Sequence, residues 1–272
     1  MKRLFIVFFS IVFAICLNAN TLEEIQKSGE IRIGVRLNYP PFSKFDGDDF
    51  SGFEVELAKA IAKIIAPKAQ IKLVGVNAKD RIPFLNDNKI DMAVAQFAVS
   101  PKRQKHVDFS IPYFALYIAL VANKTDQIKK LSQVSGKKVL AVPGTGSRSY
   151  VEKNVNAQIV DCENMMACFT KLQNNEAIGY FHSIFAVAAI PIMDNKFEIA
   201  IKAVGPADFI AVGVNKGNAE LRKAIDNAII QLSKEGFFKE AYEKTLNAYY
   251  KGTLDKKLFL LDDLYNFFSE DN

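Results

Sequence analysis

Apolar and polar positions along the first third of the chain switch between a period of two and a period of about 3.6. The segment EIRIGVRL (30–37) alternates and is rich in β-branched residues, which predicts a strand. QIKLVGV (70–76) and DMAVAQF (91–97) predict further strands, separated by a short helix in DRIPFL. FEVELAKAIAKIIA repeats a large apolar residue every four positions, which predicts a helix with one apolar face: Phe53, Leu57, Ile61 and Ile65. This βαβαβ order predicts a mostly parallel sheet flanked by helices.

The same rhythm restarts after residue 136. KKVLAV, QIVD and EAIGYF predict three more strands, and RSYVEKNV and ENMMACFTKL predict the helices between them. SIFAVAAIPI follows as a helix that Pro191 interrupts. Two α/β units in one chain predict two lobes with a cleft between them.

Two long β-rich segments connect these units. DFSIPYFALYIALVANK (108–124) and FIAVGVNKG (209–217) predict strands that cross between the lobes, so that the chain leaves lobe one and returns to it. The expected fold is therefore α/β, with two lobes, mostly parallel sheets and two crossing hinge strands. We assign the chain as follows: lobe one, 20–112 plus 211–250; lobe two, 118–205; an amphipathic helical extension, 251–272.

The first nineteen residues have the pattern of a cleaved secretory signal. Lys2 and Arg3 precede an almost wholly apolar run, Leu4 to Leu17, which is too short to span a bilayer as a helix. The small residue Ala19 stands where a signal peptidase would cut, so we expect an exported, periplasmic protein. Two alternatives stay open: a membrane anchor, and lipid attachment at Cys16, which lacks the small residue that normally precedes a lipoprotein cysteine.

Composition and charge argue against several classes of protein. Half of the 272 residues are hydrophobic, which allows a sizeable core, and removing the signal lowers the formal net charge from +5 to +3. That charge, without a basic stripe, argues against a nucleic-acid partner. His106 and His182 are the only histidines and lack metal-ligand spacing, so we expect no metal and no cofactor. Cys162 and Cys168 point apart if both lie in one helix, whereas a disulfide is possible if Cys162 ends the preceding strand.

Candidate binding chemistry follows the predicted strands, because ligands of open parallel α/β sheets bind outside the carboxyl ends of the strands. In AVAQFAVSPKR, Ser100 is a good helix N-cap, Pro101 suits the first helical position and Arg103 lies one turn in. A helix N-terminus favours an anion, and a guanidinium group binds a carboxylate through two parallel hydrogen bonds. PGTGS lacks the Gly-Lys-Ser/Thr ending of a phosphate-binding loop but opens a second helix through Thr145, Gly146 and Ser147.

The ordered set GV…YPPF…GFEVELA…RIP.L…D.A.A…SPKR…VDFS.PY…GTGS resembles the polar amino-acid family of bacterial ABC-transporter solute-binding proteins. The resemblance runs from about Ile31 to Tyr242 and keeps order and spacing. It implies a monomeric periplasmic receptor, not an enzyme, that closes over a small anionic solute and delivers it to an inner-membrane ABC permease. The closure would bend the crossing segments near Tyr113–Tyr117 and Pro206–Ile210.

The resemblance also implies which residues hold the ligand's main-chain groups. Arg103 would bind the α-carboxylate, together with the backbone N–H of Ala98, where the family usually has a hydroxyl residue. The loop Thr145–Ser147, including Gly146, would clamp the same group from lobe two, and the Gln96 carbonyl would accept a hydrogen bond from the amine. The structural alternative for Arg103 is a surface ion pair with Asp108.

Two further arginines imply an acidic ligand side chain. By resemblance Arg36 and Arg81 would meet that side chain, and Tyr39 and Phe97 would be apolar walls. The alternatives are ordinary packing for the two aromatic rings, a charge at the rim for Arg36, and a salt bridge for Arg81 with one of two neighbours, Asp80 or Asp87.

One departure from the family puts the ligand's amine in doubt. The aspartate that usually ends a lobe-two strand and pairs with the α-ammonium is replaced by Phe181, beside His182. Another acid, such as Asp208 or Glu54, could substitute, since a buried ammonium without an anion is costly. We therefore expect an aspartate- or glutamate-like ligand. The alternatives are an amine-free dicarboxylate, or an enzyme such as a dehydratase on the same fold, for which His182 is the one candidate base.

Overall fold

The computed structural model describes residues 20–261 and Tyr265. The predicted signal, with Cys16, lies outside the described residues, as do 262–264 and 266–272 of the predicted C-terminal extension. Among residues 20–261, no helix combines the length and the apolar character needed to cross a membrane.

Strands and helices occur largely where the hydrophobic pattern predicts them. The strands are β1 (Glu30–Arg36), β2 (Asn38–Tyr39), β3 (Ser43–Phe45), β4 (Phe50–Ser51), β5 (Gln70–Val76), β6 (Met92–Val94), β7 (Val107–Asn123), β8 (Lys138–Ala141), β9 (Gln158–Asp161), β10 (Gly179–Ser183) and β11 (Phe197–Asn215). The α-helices are α1 (Leu22–Ser28), α2 (Phe53–Ile65), α3 (Arg81–Asn86), α4 (Pro101–Gln104), α5 (Gly146–Asn154), α6 (Met165–Gln173), α7 (Ile184–Val187), α8 (Ile190–Met193), α9 (Ala219–Lys234), α10 (Phe237–Ala241) and α11 (Ala248–Tyr250). Short 3₁₀ helices cover Lys124–Asp126, Leu131–Val134 and Lys256–Leu258, and Tyr242–Asn247 is π-helical.

Eight strands form one sheet in the order β5-β1-β6-β11-β7-β10-β8-β9. The outer strands of each half pair in parallel, as the βαβ pattern predicts, whereas β7 and β11 pair antiparallel with each other and with their neighbours. These two long strands run through both halves of the sheet. The expected two-lobe α/β architecture with two crossing strands is confirmed.

The crossing strand β11 is longer than its sequence pattern indicates. The prediction begins at Phe209, whereas the strand begins at Phe197 and reaches β7 through several register shifts. Gly205 and Pro206 interrupt the apolar alternation in the missed part. After β11, α9 packs on α2 and β7, so the chain returns to lobe one as expected.

The cysteine pair forms a disulfide. Cys162 follows the last residue of β9, and Cys168 lies in α6, whose N-cap is Asn164. The two Cα atoms are 5.3 Å apart. Of the two possibilities that the sequence leaves open, the structure has the one in which Cys162 ends the strand instead of entering the helix.

The described part of the C-terminal extension is not the amphipathic α-helix that its pattern indicates. Residues 251–261 contain one 3₁₀ turn, and Asp255 caps it by accepting a hydrogen bond from the Lys257 N–H. Phe259 is fully buried, and its ring stacks on that of Phe114 in β7 with centroids 5.6 Å apart. The conformation of 251–261 therefore follows its packing against the rest of the protein and not its own apolar periodicity.

Candidate functional site

The sequence-predicted site residues lie where the strands of the two half-sheets end. Arg36 is the last residue of β1, Arg81 begins α3 after β5, and Gln96–Ala98 follows β6. Thr145 caps α5 after β8, and His182 lies near the end of β10. The carboxyl ends of parallel strands share one edge, which brings these segments to the junction of the lobes.

Arg103 occupies the local structure that SPKR predicts. The Ser100 hydroxyl accepts a hydrogen bond from the Arg103 N–H at 3.4 Å, and Pro101 opens the short helix α4. The guanidinium Nη1 donates to the Ala98 carbonyl at 2.6 Å, so the guanidinium group lies against the segment between β6 and α4. Burial lowers the pKa of Arg103, and the charge of Asp208 opposes that change.

The alternative partner of Arg103 is engaged elsewhere. Asp108 accepts from Lys216 Nζ at 2.5 Å and from the Gly217 N–H at 2.8 Å. None of the salt bridges among the described residues involves Arg103. Its charge is therefore available to an anion.

A cleft of about 740 Å³ lies beside Arg103, between the lobes. Gly146, the first residue of α5, lines it from lobe two, and Asp208 of β11 lines it as well. Thr145 caps α5 by accepting from the Arg148 N–H at 3.1 Å, while Ser147 is buried behind it. The two helix N-termini named in the sequence thus face one cavity.

Arg81 is almost fully buried and is bound by carbonyl groups. Its Nε donates to Ala78 at 3.0 Å, and its Nη1 donates to Ala95 at 3.0 Å and to Gln96 at 2.6 Å. Among the described residues, Nη2 makes no hydrogen bond. Burial, followed by the like charges of Arg103 and Arg36, lowers the pKa of Arg81 to about 10.

The aspartate alternatives for Arg81 are absent from the described salt bridges. Asp80 accepts hydrogen bonds from the backbone and side chain of Asn77, and Asp87 pairs with Lys89. The guanidinium of Arg81 instead lies 4.5 Å from the centroid of the Phe97 ring. Sequence alone could not identify these partners, because Ala95, Gln96 and Phe97 follow Arg81 only after α3 and β6.

Phe97 packs in the core of lobe one, which is the alternative considered for it. It is 1% exposed and packs edge-on against Phe109 with centroids 4.8 Å apart, which is ordinary lobe-one packing. The Arg103 guanidinium also lies 5.4 Å from its ring centroid. The ring therefore supports two arginines from the core instead of forming an exposed wall.

Arg36 and Tyr39 form a second cation–π pair. The guanidinium of Arg36 lies 5.4 Å from the ring centroid of Tyr39, and its Nε is buried without a hydrogen-bond partner among the described residues. Burial raises the pKa of the Tyr39 hydroxyl, and a hydrogen bond with Ser183 at the end of β10 opposes that change. Tyr39 thus joins lobe one to lobe two.

Of the two expected site residues in β10, Phe181 differs from expectation. Phe181 is not in the cleft: it is fully buried in a core cluster that contains Leu120, Val139 and Val204. A strand points successive side chains to opposite faces, and this position faces the core. His182 is partly buried, its Nδ1 accepts from the Ser183 N–H at 2.8 Å, and burial lowers its pKa.

The structure adds a buried carboxylate to the site. Glu54, in the first turn of α2, is fully buried and accepts from the Gln96 N–H at 2.8 Å and from Gln96 Nε2 at 3.1 Å. It also accepts a hydrogen bond from the Tyr113 hydroxyl. Burial raises the pKa of Glu54. The sequence names this residue only as a possible substitute acid, and no pattern indicates its contact with Tyr113.

Comparison with known proteins places these features in a family context. Residues 31–248 match the model of the bacterial extracellular solute-binding proteins, family 3. The L-cystine-binding protein TcyJ of Escherichia coli K12 is 31% identical over 84% of this chain and 86% of its own length. The glutamate/aspartate import solute-binding protein of the same strain is 26% identical over 93% of this chain and 88% of its own length.

A solved structure shows the same fold. The crystal structure of a cysteine-binding protein from Campylobacter jejuni has a TM-score of 0.68 and 31% identity, and covers 89% of this chain and 98% of its own. The three proteins are named for different ligands, although all are named for amino acids. Ligand identity must therefore come from the residues of the cleft.

Proposed function

Because the chain belongs to family 3 of the bacterial extracellular solute-binding proteins, we propose that it captures a small acid with two carboxylate-like groups for an ABC transporter. Aspartate or glutamate is the first candidate. The protein would act as a monomeric receptor in the periplasm and release its ligand to an inner-membrane permease. It would bind the ligand without transforming it.

The observation that carries this proposal is a cluster of three cations. The charges of Arg36 and Arg103 both act on Arg81, and none of the three forms a salt bridge among the described residues. Like charges held together in a partly desolvated site destabilise one another. A ligand with two anionic groups relieves that repulsion, whereas a cationic or apolar side chain does not.

The two ends of the ligand would meet different groups. Arg103 and the N-terminus of α5, Thr145–Ser147, would bind one carboxylate, with the Ala98 N–H as a further donor. Arg36 and the free Nη2 of Arg81 would bind the other. Tyr39 would flank the ligand between the lobes.

A second candidate, an amine-free dicarboxylate, is favoured by two observations. Phe181 lies in the core, so no acid stands at that position of lobe two. The Gln96 carbonyl, which would accept from an amine, already accepts from Arg81. Both observations weaken the case for an ammonium site on the expected groups.

A thermal-shift screen separates these candidates. Amino acids are tested beside their deaminated analogues: glutamate with glutarate, aspartate with succinate, and arginine, leucine and cystine as non-acidic comparisons. We expect the melting temperature to rise with the diacids. Stabilisation by a basic or apolar amino acid alone would refute the arginine argument. The stabilising ligand, incubated with the protein and analysed by mass spectrometry, should remain unchanged.

Export has a test of its own. The mature protein, purified from the periplasmic fraction of cells that express the full chain, should begin at Asn20, after cleavage following Ala19. A protein that retains its first residue, or that carries lipid on Cys16, would contradict this part of the proposal.

A further inference from the structure

Among the described residues, Glu54 is the one acidic group that hydrogen-bonds a residue bound to Arg81, the arginine on which the other two act. It is fully buried at the start of α2. One oxygen, Oε1, accepts the hydrogen bonds from Gln96 and Tyr113, whereas Oε2 is buried without a partner among the described residues. A buried carboxylate oxygen in that state is energetically costly unless a cation compensates it.

Glu54 determines the conformation of Gln96. The backbone of Gln96 has φ 49°, a left-handed conformation that few non-glycine residues adopt. Two hydrogen bonds to Glu54, from the backbone N–H and from the side-chain amide, hold it there. The Gln96 carbonyl then accepts from Arg81, so Glu54 fixes an arginine of the site through one intermediate residue.

Glu54 also balances the charge of that arginine. The charge of Glu54 favours the cationic form of Arg81, while Arg36 and Arg103 oppose it. The charge of Asp208 likewise favours the cationic form of Arg103. Its side chain is exposed to water, however, which weakens this effect. Within the described site, the desolvated negative charge is therefore that of Glu54.

We propose that Glu54 is a positioning and selectivity residue: it holds Gln96 and Arg81 in place, and its buried charge favours a ligand that carries an ammonium group as well as two carboxylates. The inference rests on the proposed function. The family usually places an aspartate in lobe two at the position of Phe181. In this protein, the negative charge that answers the ammonium would instead come from Glu54 in lobe one. The negative charge of Glu54 in this otherwise cationic site thereby favours an amino diacid over the same acid without its amine.

The test is the ratio of two dissociation constants measured by calorimetry, for glutamate and glutarate and again for aspartate and succinate. Wild type should prefer the amino acid of each pair. Glu54→Gln, which keeps the shape and one acceptor oxygen, should weaken glutamate or aspartate binding at least tenfold while changing glutarate or succinate binding less than threefold. A purely structural role would weaken both members of a pair alike and overturn the inference.

Three further variants sharpen the assignment. Glu56→Gln, on an exposed neighbour in the same helical turn, should leave all constants unchanged. Tyr113→Phe removes one donor to Oε1 but leaves the charge, so the preference for the amino acid should survive. Asp208→Asn should have little effect on that preference; if it abolishes the preference and Glu54→Gln does not, Asp208 is the residue that answers the ammonium.

The unmodified protein gives an independent reading if Glu54→Gln does not fold. Equal affinity of wild type for glutamate and glutarate, and for aspartate and succinate, would overturn the inference and leave the proposed function intact. Failure to bind any of the four acids would overturn the proposed function, and this inference with it.

Discussion

Arg103 is the residue for which a single substitution best tests carboxylate recognition. Arg103→Ala removes a charge-assisted hydrogen bond worth about 1.5–3 kcal/mol, which corresponds to a loss of roughly ten- to more than a hundredfold in affinity for the best diacid. Calorimetry measures this loss. Lys105→Ala removes an exposed cation at the C-cap of the same helix, outside the lining of the cleft; it is the control and should bind like wild type. An Arg103→Ala variant within threefold of wild type would contradict the role.

Glu54 gives a prediction for stability against pH. Because burial raises its pKa in the folded protein, the native state holds this proton at pH values where the unfolded chain has lost it. The free energy of unfolding therefore falls as pH rises from the ordinary carboxyl value, about 4.3, towards the folded value. In urea unfolding, wild type should lose stability relative to Glu54→Gln as pH rises.

Glu56→Gln serves as the matched control for that series, because Glu56 lies in the same helical turn as Glu54 but is exposed. It should keep the pH dependence of wild type. Identical pH slopes for wild type and Glu54→Gln would show that the buried carboxyl does not hold a proton in the expected range.

For individual residues, the sequence predicts a role that depends on neighbours in the chain and misses a role that depends on distant contacts. Ser100 and Arg103 follow from the spacing of SPKR alone, because a cap and its helix are neighbours in the chain. Phe181 was misplaced because a strand alternates its faces, so one position decides between cleft and core. The left-handed Gln96 is held by Glu54, 42 residues away in the chain, and no local pattern contains that information.

Among the elements, the C-terminal segment gives the sharpest stability prediction. Phe259 is fully buried, with its ring centroid 4.9 Å from that of Phe185 and its carbonyl accepting from the Ala115 N–H at 3.0 Å. It thus joins β7 of the crossing region to α7 of lobe two. Phe259→Ala should lower the free energy of unfolding by about 3–5 kcal/mol.

Chemical denaturation of both Phe259→Ala and a control variant measures this contribution. Phe45→Ala is the control, because its ring is 39% exposed and its removal leaves no large cavity. A cost below about 1 kcal/mol at Phe259, similar to that expected of an exposed ring, would mean that the segment is dispensable for the fold.

The elements were predictable where one face of each is buried throughout. The apolar face of α2, Phe53, Leu57, Ile61 and Ile65, is buried as its four-residue spacing indicates. In the described part of the extension, 251–261, the apolar spacing accompanies a single 3₁₀ turn, and Phe259 packs on the rings of Phe114 and Phe185. β6 also ends earlier than predicted, at Val94, since the left-handed Gln96 cannot continue a strand.

For the whole molecule we expect the lobes to close on the ligand. The candidate hinges, Tyr113–Tyr117 and Pro206–Ile210, lie in β7 and β11, and the pairing of these strands shifts register between Val204 and Asp208. Irregular pairing leaves fewer ladder hydrogen bonds to resist bending, which suits a hinge. Solution scattering should show a smaller radius of gyration at a saturating concentration of the best diacid.

Arg103→Ala at the same ligand concentration is the control for closure and should keep the radius of the unliganded protein. An unchanged radius for wild type, at a concentration that calorimetry shows to be saturating, would count against a moving cleft. The lobe boundaries predicted from the sequence rest on these same segments.

The central claim is that the cleft beside Arg103, with the charges of Arg81 and Arg36 behind it, selects a diacid. Competition monitored by native mass spectrometry tests this claim most directly. The purified protein, freed of any carried ligand by unfolding and refolding, is mixed with equimolar aspartate, glutamate, succinate, glutarate, glutamine, cystine, arginine and leucine. The ligand is released from the isolated complex and weighed by itself at high mass resolution, because several of these compounds differ only slightly in mass. We predict the mass of one of the four diacids; the mass of arginine, leucine, glutamine or cystine would contradict the account.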